Sequence, residues 1–224
     1  MGRPGGSSSS SSDTSSKPKA MKVDGNLYIE GGSIQVRCCA SLSSGNDGHE
    51  GIEAKKTIQI SGGTVASFSY DDAINSASTF TISGGKVFAY SIHNDGLDSN
   101  AAMKITGGWI CAIGTTSPEL GIDTVEGTSC SISGGYMMAM SSTGQSQSFS
   151  ASNGSVGSQT LSASSGSTIA ITSGESAMYL VAPRDLQCRL QYYMASCSSA
   201  SVNTSGSYTK GTTTPFCNFC ASKE

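Results

Sequence analysis

Charge is scarce in this chain. Of its 224 residues, 13 % are Asp, Glu, Lys or Arg, and 36 % are apolar. Both fractions are low for an ordinary globular enzyme. Leucine is sparse, and no long stretch repeats apolar residues at the helical period, which argues against a helical bundle. No apolar run approaches the roughly 20 residues that span a membrane. The net charge is −3, with no basic patch to neutralise phosphates, so nucleic acid does not fit as a partner. The two histidines, His49 and His93, sit in polar stretches without a recognisable Ser or Cys nucleophile. What is abundant is Gly and Ser, the composition of many short strands joined by tight turns.

The N-terminal MGRPGGSSSSSSDTSSKPKA has no apolar signal-peptide core and reads as a flexible Gly/Ser linker over residues 1–19. Eight cysteines are present, an even number compatible with disulfides but without one evident framework. Cys130 occupies a position where other repeats carry Ile, Phe, Met or Leu, so it reads as a small core residue. Cys217-x-x-Cys220 has neither a second pair nor a nearby His, and a zinc site needs four ligands.

Self-similarity is the strongest signal. Gly-Gly pairs stand at Gly31-Gly32, Gly62-Gly63, Gly84-Gly85, Gly107-Gly108 and Gly134-Gly135. Each follows a short alternating stretch (LYIEGG, IQISGG, FTISGG, MKITGG, CSISGG) and precedes a second one (SIQV, TVAS, KVFA, WICA, YMMA). Alternation buries one face. The inward columns are Leu27/Ile58/Phe80/Met103/Cys130, Ile29/Ile60/Ile82/Ile105/Ile132, Ile34/Val65/Val87/Ile110/Met137 and Val36/Ser67/Ala89/Ala112/Ala139. Like residues stacking on like are what a solenoid requires, because one coil cannot bury its own apolar face. The absence of an LxxLxL pattern excludes leucine-rich repeats. The fold expected is an all-β right-handed parallel β-helix of about five coils over residues 20–142. A Ser-rich linker and a C-terminal β cap should occupy 143–224, with antiparallel strands closing the open end or covering one face, and an irregular tail from 196. The intervals 38–49 and 114–120 should bulge as loops.

A third short segment recurs before each first strand: KVD24, GIE53, AIN75, GLD98 and GID123. Its last residue is always Asp, Glu or Asn, so these oxygens should stack along one edge. Further acids stand just upstream: Glu50, Asp71, Asp72, Asn94, Asp95 and Glu119. Stacked carboxylates repel. A hard divalent cation relieves the repulsion, and an all-oxygen donor set favours Ca²⁺ over zinc.

The string GIEAKKTIQISGGTVASFSYDDAINSASTFTISGGKVFAYSIHNDGLDSNAAMKITGG resembles the carbohydrate-binding right-handed β-helix proteins of gut and cellulolytic anaerobic bacteria. The resemblance covers roughly residues 17–142, and more weakly 160–195. That family is related to the pectate lyases of polysaccharide lyase family 9, which bind calcium through a DDxxD segment and an acid from the preceding coil. The resemblance places Asp71, Asp72 and Asn75 at the DDxxD positions and Glu53 as the preceding acid. Asn94, Asp95 and Asp98 repeat the arrangement one coil on, and Glu119 with Asp123 another coil on. Asn75 departs from the family Asp and removes one negative charge. The resemblance implies calcium-dependent binding of acidic polysaccharide such as polygalacturonate, with cellulose a further candidate, outside the cell.

A lyase would need a Lys or Arg base beside the calcium. Lys55, Lys56, Lys86 and Lys104 are the candidates, with Lys104 on the exposed side of a first strand put forward, although none matches the lyase lysine. Sugar-binding modules stack pyranose rings on exposed aromatics. Phe88, Tyr90, Trp109 and Tyr136 fall at outward positions and would form such a stripe, unless the C-terminal strands cover it. Three functions remain open on the residues: a glycan binder, a pectate-lyase-like enzyme, and a surface adhesin or structural rod.

Overall fold

A computed structural model describes residues 17–38 and 48–206. Most of the N-terminal linker, the segment 39–47, and the tail holding Cys217 and Cys220 lie outside the described residues. All regular structure described is β, and no described helix is long and apolar enough to cross a membrane.

Five three-strand coils stack as a β-solenoid, about four full turns from first to last. The first sheet, A, takes one short strand per coil: β1 (Met21–Val23), β4 (Ile52–Ala54), β7 (Ile74–Ser76), β10 (Leu97–Ser99) and β13 (Ile122–Thr124). Sheet B stacks β2 (Leu27–Ile29), β5 (Ile58–Ile60), β8 (Phe80–Ile82), β11 (Met103–Ile105), β14 (Cys130–Ile132) and β16 (Phe149–Ala151). Sheet C stacks the longer β3 (Ser33–Cys38), β6 (Thr64–Ser69), β9 (Lys86–Ser91), β12 (Trp109–Gly114) and β15 (Tyr136–Ser141). Within the coils all pairing is parallel and in register, with Ile29↔Ile60↔Ile82↔Ile105↔Ile132 in one ladder. Their side chains are at most 4 % exposed and belong to one continuous core. Cys130 lies in that core, where burial pushes its thiol up to about 12.

The Gly-Gly corner joins sheet B to sheet C. The second glycine of each pair has φ between 76° and 90°, which L side chains rarely adopt. The first abuts the coil below: a Cβ on Gly84 would lie 2.3 Å from the Ser61 carbonyl oxygen.

The first coil departs from the expected alignment. Met21, not Val23, pairs with Ile52, so Lys22 rather than Asp24 faces Glu53. Asp24 lies beyond β1, 3.9 Å from Lys22 Nζ. The tripeptide pattern put Val23 at the level of Ile52, but Met21, two residues earlier, takes that place, and Val23 packs against the core at the level of Ala54.

The serine-rich stretch after residue 143, expected as a linker, instead carries β16 and β17 (Val156–Ala163). Serine hid these strands because it serves on an exposed strand face, while Leu161 and Ala163 supply the buried one. The irregular tail expected from 196 also fails in part, since β21 (Ser201–Gly206) pairs with β18 (Thr168–Ser173).

The C-terminal strands do both things open to them. β20 (Leu186–Met194) pairs antiparallel with β15, and β17 beyond it ends sheet C. Its inward Tyr193 sits opposite Met137 and plugs the core, its hydroxyl donating to the Ser152 carbonyl at 2.7 Å. Buried Gln147 and Gln191 exchange hydrogen bonds of 2.9 Å at the same end. Meanwhile β18, β19 (Ser176–Val181) and β21 form a fourth sheet, D. Ile169, Ile171, Met178 and Leu180 from it pack with Phe88, Cys111, Ile113, Met138 and Met140 on the outer side of sheet C.

Candidate functional site

The turns from sheet C to sheet A carry the acids. Sheet C strands end in a ladder of Cys38, Ser69, Ser91, Gly114 and Ser141. The buried serines then clamp the turns. Ser69 donates to the Asp71 carbonyl at 2.7 Å, and Ser91 Oγ accepts from the Asn94 N–H at 2.8 Å. Ser141 Oγ accepts from the Gly121 N–H at 3.0 Å. The acid-bearing backbone is thereby fixed by groups that carry no charge.

From the turns, sheet A sets the spacing. Lys22, Glu53, Asn75, Asp98 and Asp123 form one outward ladder. Asp72 and Asp95 stand beside it, 5 % and 7 % exposed, with Glu53 at 4 % and Glu50 at 7 %. Oxygens of Asp95, Asp98 and Asp123 come within 4.8 Å of one another. No other trio of His, Cys, Asp or Glu among the described residues does so.

The remaining acids have hydrogen-bond or lysine partners of their own. Asp71 accepts from the Gly48 N–H and, at 2.6 Å, from Asn94 Nδ2. Asp72 accepts from the Asp95 N–H at 3.1 Å and from Asn75 Nδ2 at 3.1 Å. Glu53 pairs with Lys55, and Glu50 with Lys19 at 2.9 Å. Asn75 thus spends its donor on Asp72 and keeps its acceptor, a role an Asp could not fill. Buried Asn75 Oδ1, Glu53 Oε2 and Glu50 Oε2 accept no hydrogen bond. Unsatisfied oxygens of this kind are costly without a cation. The donor set is all oxygen, as a hard divalent ion requires. Glu119 approaches the same edge from the longer 115–121 turn, held by its N–H to the Thr116 carbonyl at 2.7 Å.

The electrostatics agree. Burial, then the charges of Asp98, Asp95 and Asp71, pushes Asp72 up to about 9. Burial, then Asp123, Asp98 and Glu119, raises Asp95 to about 8 against the opposing Leu120 N–H. Burial, then Asp123 and Glu50, raises Asp98 to about 7. Burial likewise raises Asp123, Glu119 and Glu50. Two unit charges about 5 Å apart repel by about 3 kcal/mol at an effective dielectric near 20. Ionised together, these groups need a counter-charge.

Lys104 does not reach this ridge. It sits on β11 in sheet B, in the ladder of Thr81 and Ser131, while the acids project from sheet A and its preceding turns. Lys55 and Lys19 are lysines the structure places at the ridge, tied to Glu53 and Glu50.

The aromatic stripe is divided. Phe88 and Tyr90 are 3 % and 8 % exposed, because sheet D covers their part of sheet C. They are core residues, not a sugar platform. Trp109 and Tyr136 remain half-buried at the uncovered end, stacked at 4.4 Å between ring centroids. Tyr192, absent from the sequence reading, joins that end: it is half-buried and faces Met138 in register. Nothing in its local LQYYMA context distinguished it from Tyr193.

Residues 7–94 match the model of a family described as carbohydrate-binding domain-containing protein. The matched stretch includes the first three coils, with Glu53, Asp71, Asp72 and Asn75, and stops before Asp95, Asp98 and Asp123. The match supports carbohydrate binding and carries no link to the pectate lyases. No curated protein and no solved structure matches the chain.

Proposed function

We propose that this chain is a calcium-dependent binder of acidic polysaccharide, polygalacturonate being the type ligand, and that it works outside the cell. The family match supports the glycan. The observation that carries the calcium reading is the convergence of Asp95, Asp98 and Asp123 within 4.8 Å on a half-buried edge. Those three would hold the ion, with Glu119 beside them. The orphaned oxygens of Asn75, Glu53 and Glu50 suit a second cation in the preceding coils. Bound calcium supplies positive charge that uronate carboxylates can share. The residues of the chain hold the ridge rigid: the serine clamps and the sheet A register set the spacing of the oxygens before any ligand arrives.

The test is retention of the protein by immobilised polygalacturonate, in calcium and in EDTA, for wild type and for the double variant Asp95→Asn/Asp98→Asn. Retention in calcium alone, lost in the variant, is the expected result. Equal retention in EDTA would overturn the metal dependence. No retention under either condition would overturn the ligand class.

A further inference from the structure

The acid ridge leaves unused a groove at the last-coil edge of sheet C, on the side where β15 begins. Its volume is about 250 Å³. It forms where the chain leaves β20, turns through Cys197, whose N–H donates to the Met194 carbonyl at 3.1 Å, and runs back past the start of β17. Its floor is Tyr192 over Gly157. The two residues pair across β20 and β17, and a Cβ on Gly157 would lie 2.2–2.5 Å from Cζ, Cε2 and Oη of the tyrosine. The ring therefore lies across the bare glycine backbone, a position that any side chain at 157 would deny it. The Tyr192 hydroxyl donates to the Ala200 carbonyl at 3.4 Å, and Ser155 Oγ donates to the Ser198 carbonyl at 2.9 Å. The walls include the exposed Ser198 and Ser199. Tyr136, stacked on Trp109, pairs with Met194 at the groove's edge.

The lining selects a ligand class. No residue lining the groove is charged, so phosphate and uronate carboxylates find no partner there. Hydroxyls and main-chain groups stand around one aromatic ring, which suits a ligand with an apolar face and a polar rim. The volume lies below the roughly 300–1,000 Å³ of drug-sized pockets, so it takes one ring rather than an extended molecule. A neutral hexopyranose has that shape and polarity. We infer that the Tyr192–Gly157 groove is a second carbohydrate subsite, one that takes a single neutral hexose unit and needs no metal. The family match ends far upstream of it and assigns nothing to this end of the chain. The groove stands apart from the calcium reading and survives if that reading fails.

Titration calorimetry of the full chain in EDTA with cellohexaose and with mannohexaose tests the inference. At least one of them binds wild type. Tyr192→Ala, and Ser198→Trp, which fills the groove from an exposed position, weaken that binding by about tenfold or more. Tyr192→Phe, which keeps the ring, retains it. Thermal melts establish that each variant is folded. Binding of neither sugar to wild type overturns the inference, as does unaltered affinity in a folded Ser198→Trp, or binding that appears solely with calcium. Ser198→Trp retains its response to polygalacturonate in calcium, so failure at the ridge and failure at the groove read out separately.

Discussion

Removing metal should make this protein acid-loving, against the usual trend for a chain rich in paired carboxylates. Asp72 and Asp95 titrate at about 9 and about 8 in the folded protein, against 3.8 when free. Between those limits the folded state holds protons that the unfolded state has released. Unfolding therefore releases protons, and stability falls as pH rises. Each such group lowers stability by about 1.4 kcal/mol per pH unit over the window. Two groups over the two units from pH 5 to pH 7 give on the order of 3–5 kcal/mol once the ridge relaxes. For a chain of this size that is a fall in Tm of roughly 6–20 °C. Calcium should reverse the trend, because an ion held at the ridge would bind the ionised carboxylates and displace their protons. The stabilisation it confers is therefore larger at pH 8 than at pH 5. Thermal melts in EDTA and in calcium, at pH 5, 6, 7 and 8, measure both effects. A metal-free Tm that stays flat or rises between pH 5 and pH 7 would refute the reasoning, and so would a calcium effect of the same size at every pH.

Two further outcomes follow from the same structure. Asp98→Asn removes one charge from the trio at 4.8 Å. In EDTA at pH 8 it should raise stability by about 1–2 kcal/mol while shrinking the shift produced by calcium, both read from urea unfolding. Phe88→Ala empties a site that is 3 % exposed beneath sheet D. It should cost about 3–5 kcal/mol in the same assay and leave polygalacturonate retention unchanged, since the ring meets no ligand.

Most of the rod was legible because a solenoid repeats its own evidence. Five copies of an isoleucine at one position leave little doubt about its direction, and the ladder from Ile29 to Ile132 has the register the repeats imply. Legibility failed where repetition stops. In the first described coil the KVD segment slipped by two residues. Strands β16 and β17 were masked by serine, whose preference for turns overrode a weak alternation. The burial of Phe88 and Tyr90 depends on sheet D, a partner about 80 residues later in the chain that no local pattern foretells. Of the ridge, the ladder Glu53–Asn75–Asp98–Asp123 was readable from spacing. The convergence on Asp95, Asp98 and Asp123 was not, because it depends on how the turn before sheet A brings Asp95 up to the ladder, which spacing alone does not give.

The corners of the rod differ in how much change they permit. Three residues separate β2 from β3, and the same number recurs at the Gly-Gly corner of every coil. There the main chains of successive coils touch, and an inserted residue would pry them apart. From sheet C to sheet A the linking segment ranges freely, from Tyr70–Ala73 in one coil to Thr115–Gly121 in another. Most of the variation in coil length is accommodated in these segments, the link from β13 to β14 adding two residues in the last coil, and that is where Asp71, Asp72, Asp95 and Glu119 are mounted. A lineage of such rods can therefore lengthen, shorten or rewrite its ligand-facing rim coil by coil while inheriting the rest unaltered, so homologues should diverge along one seam.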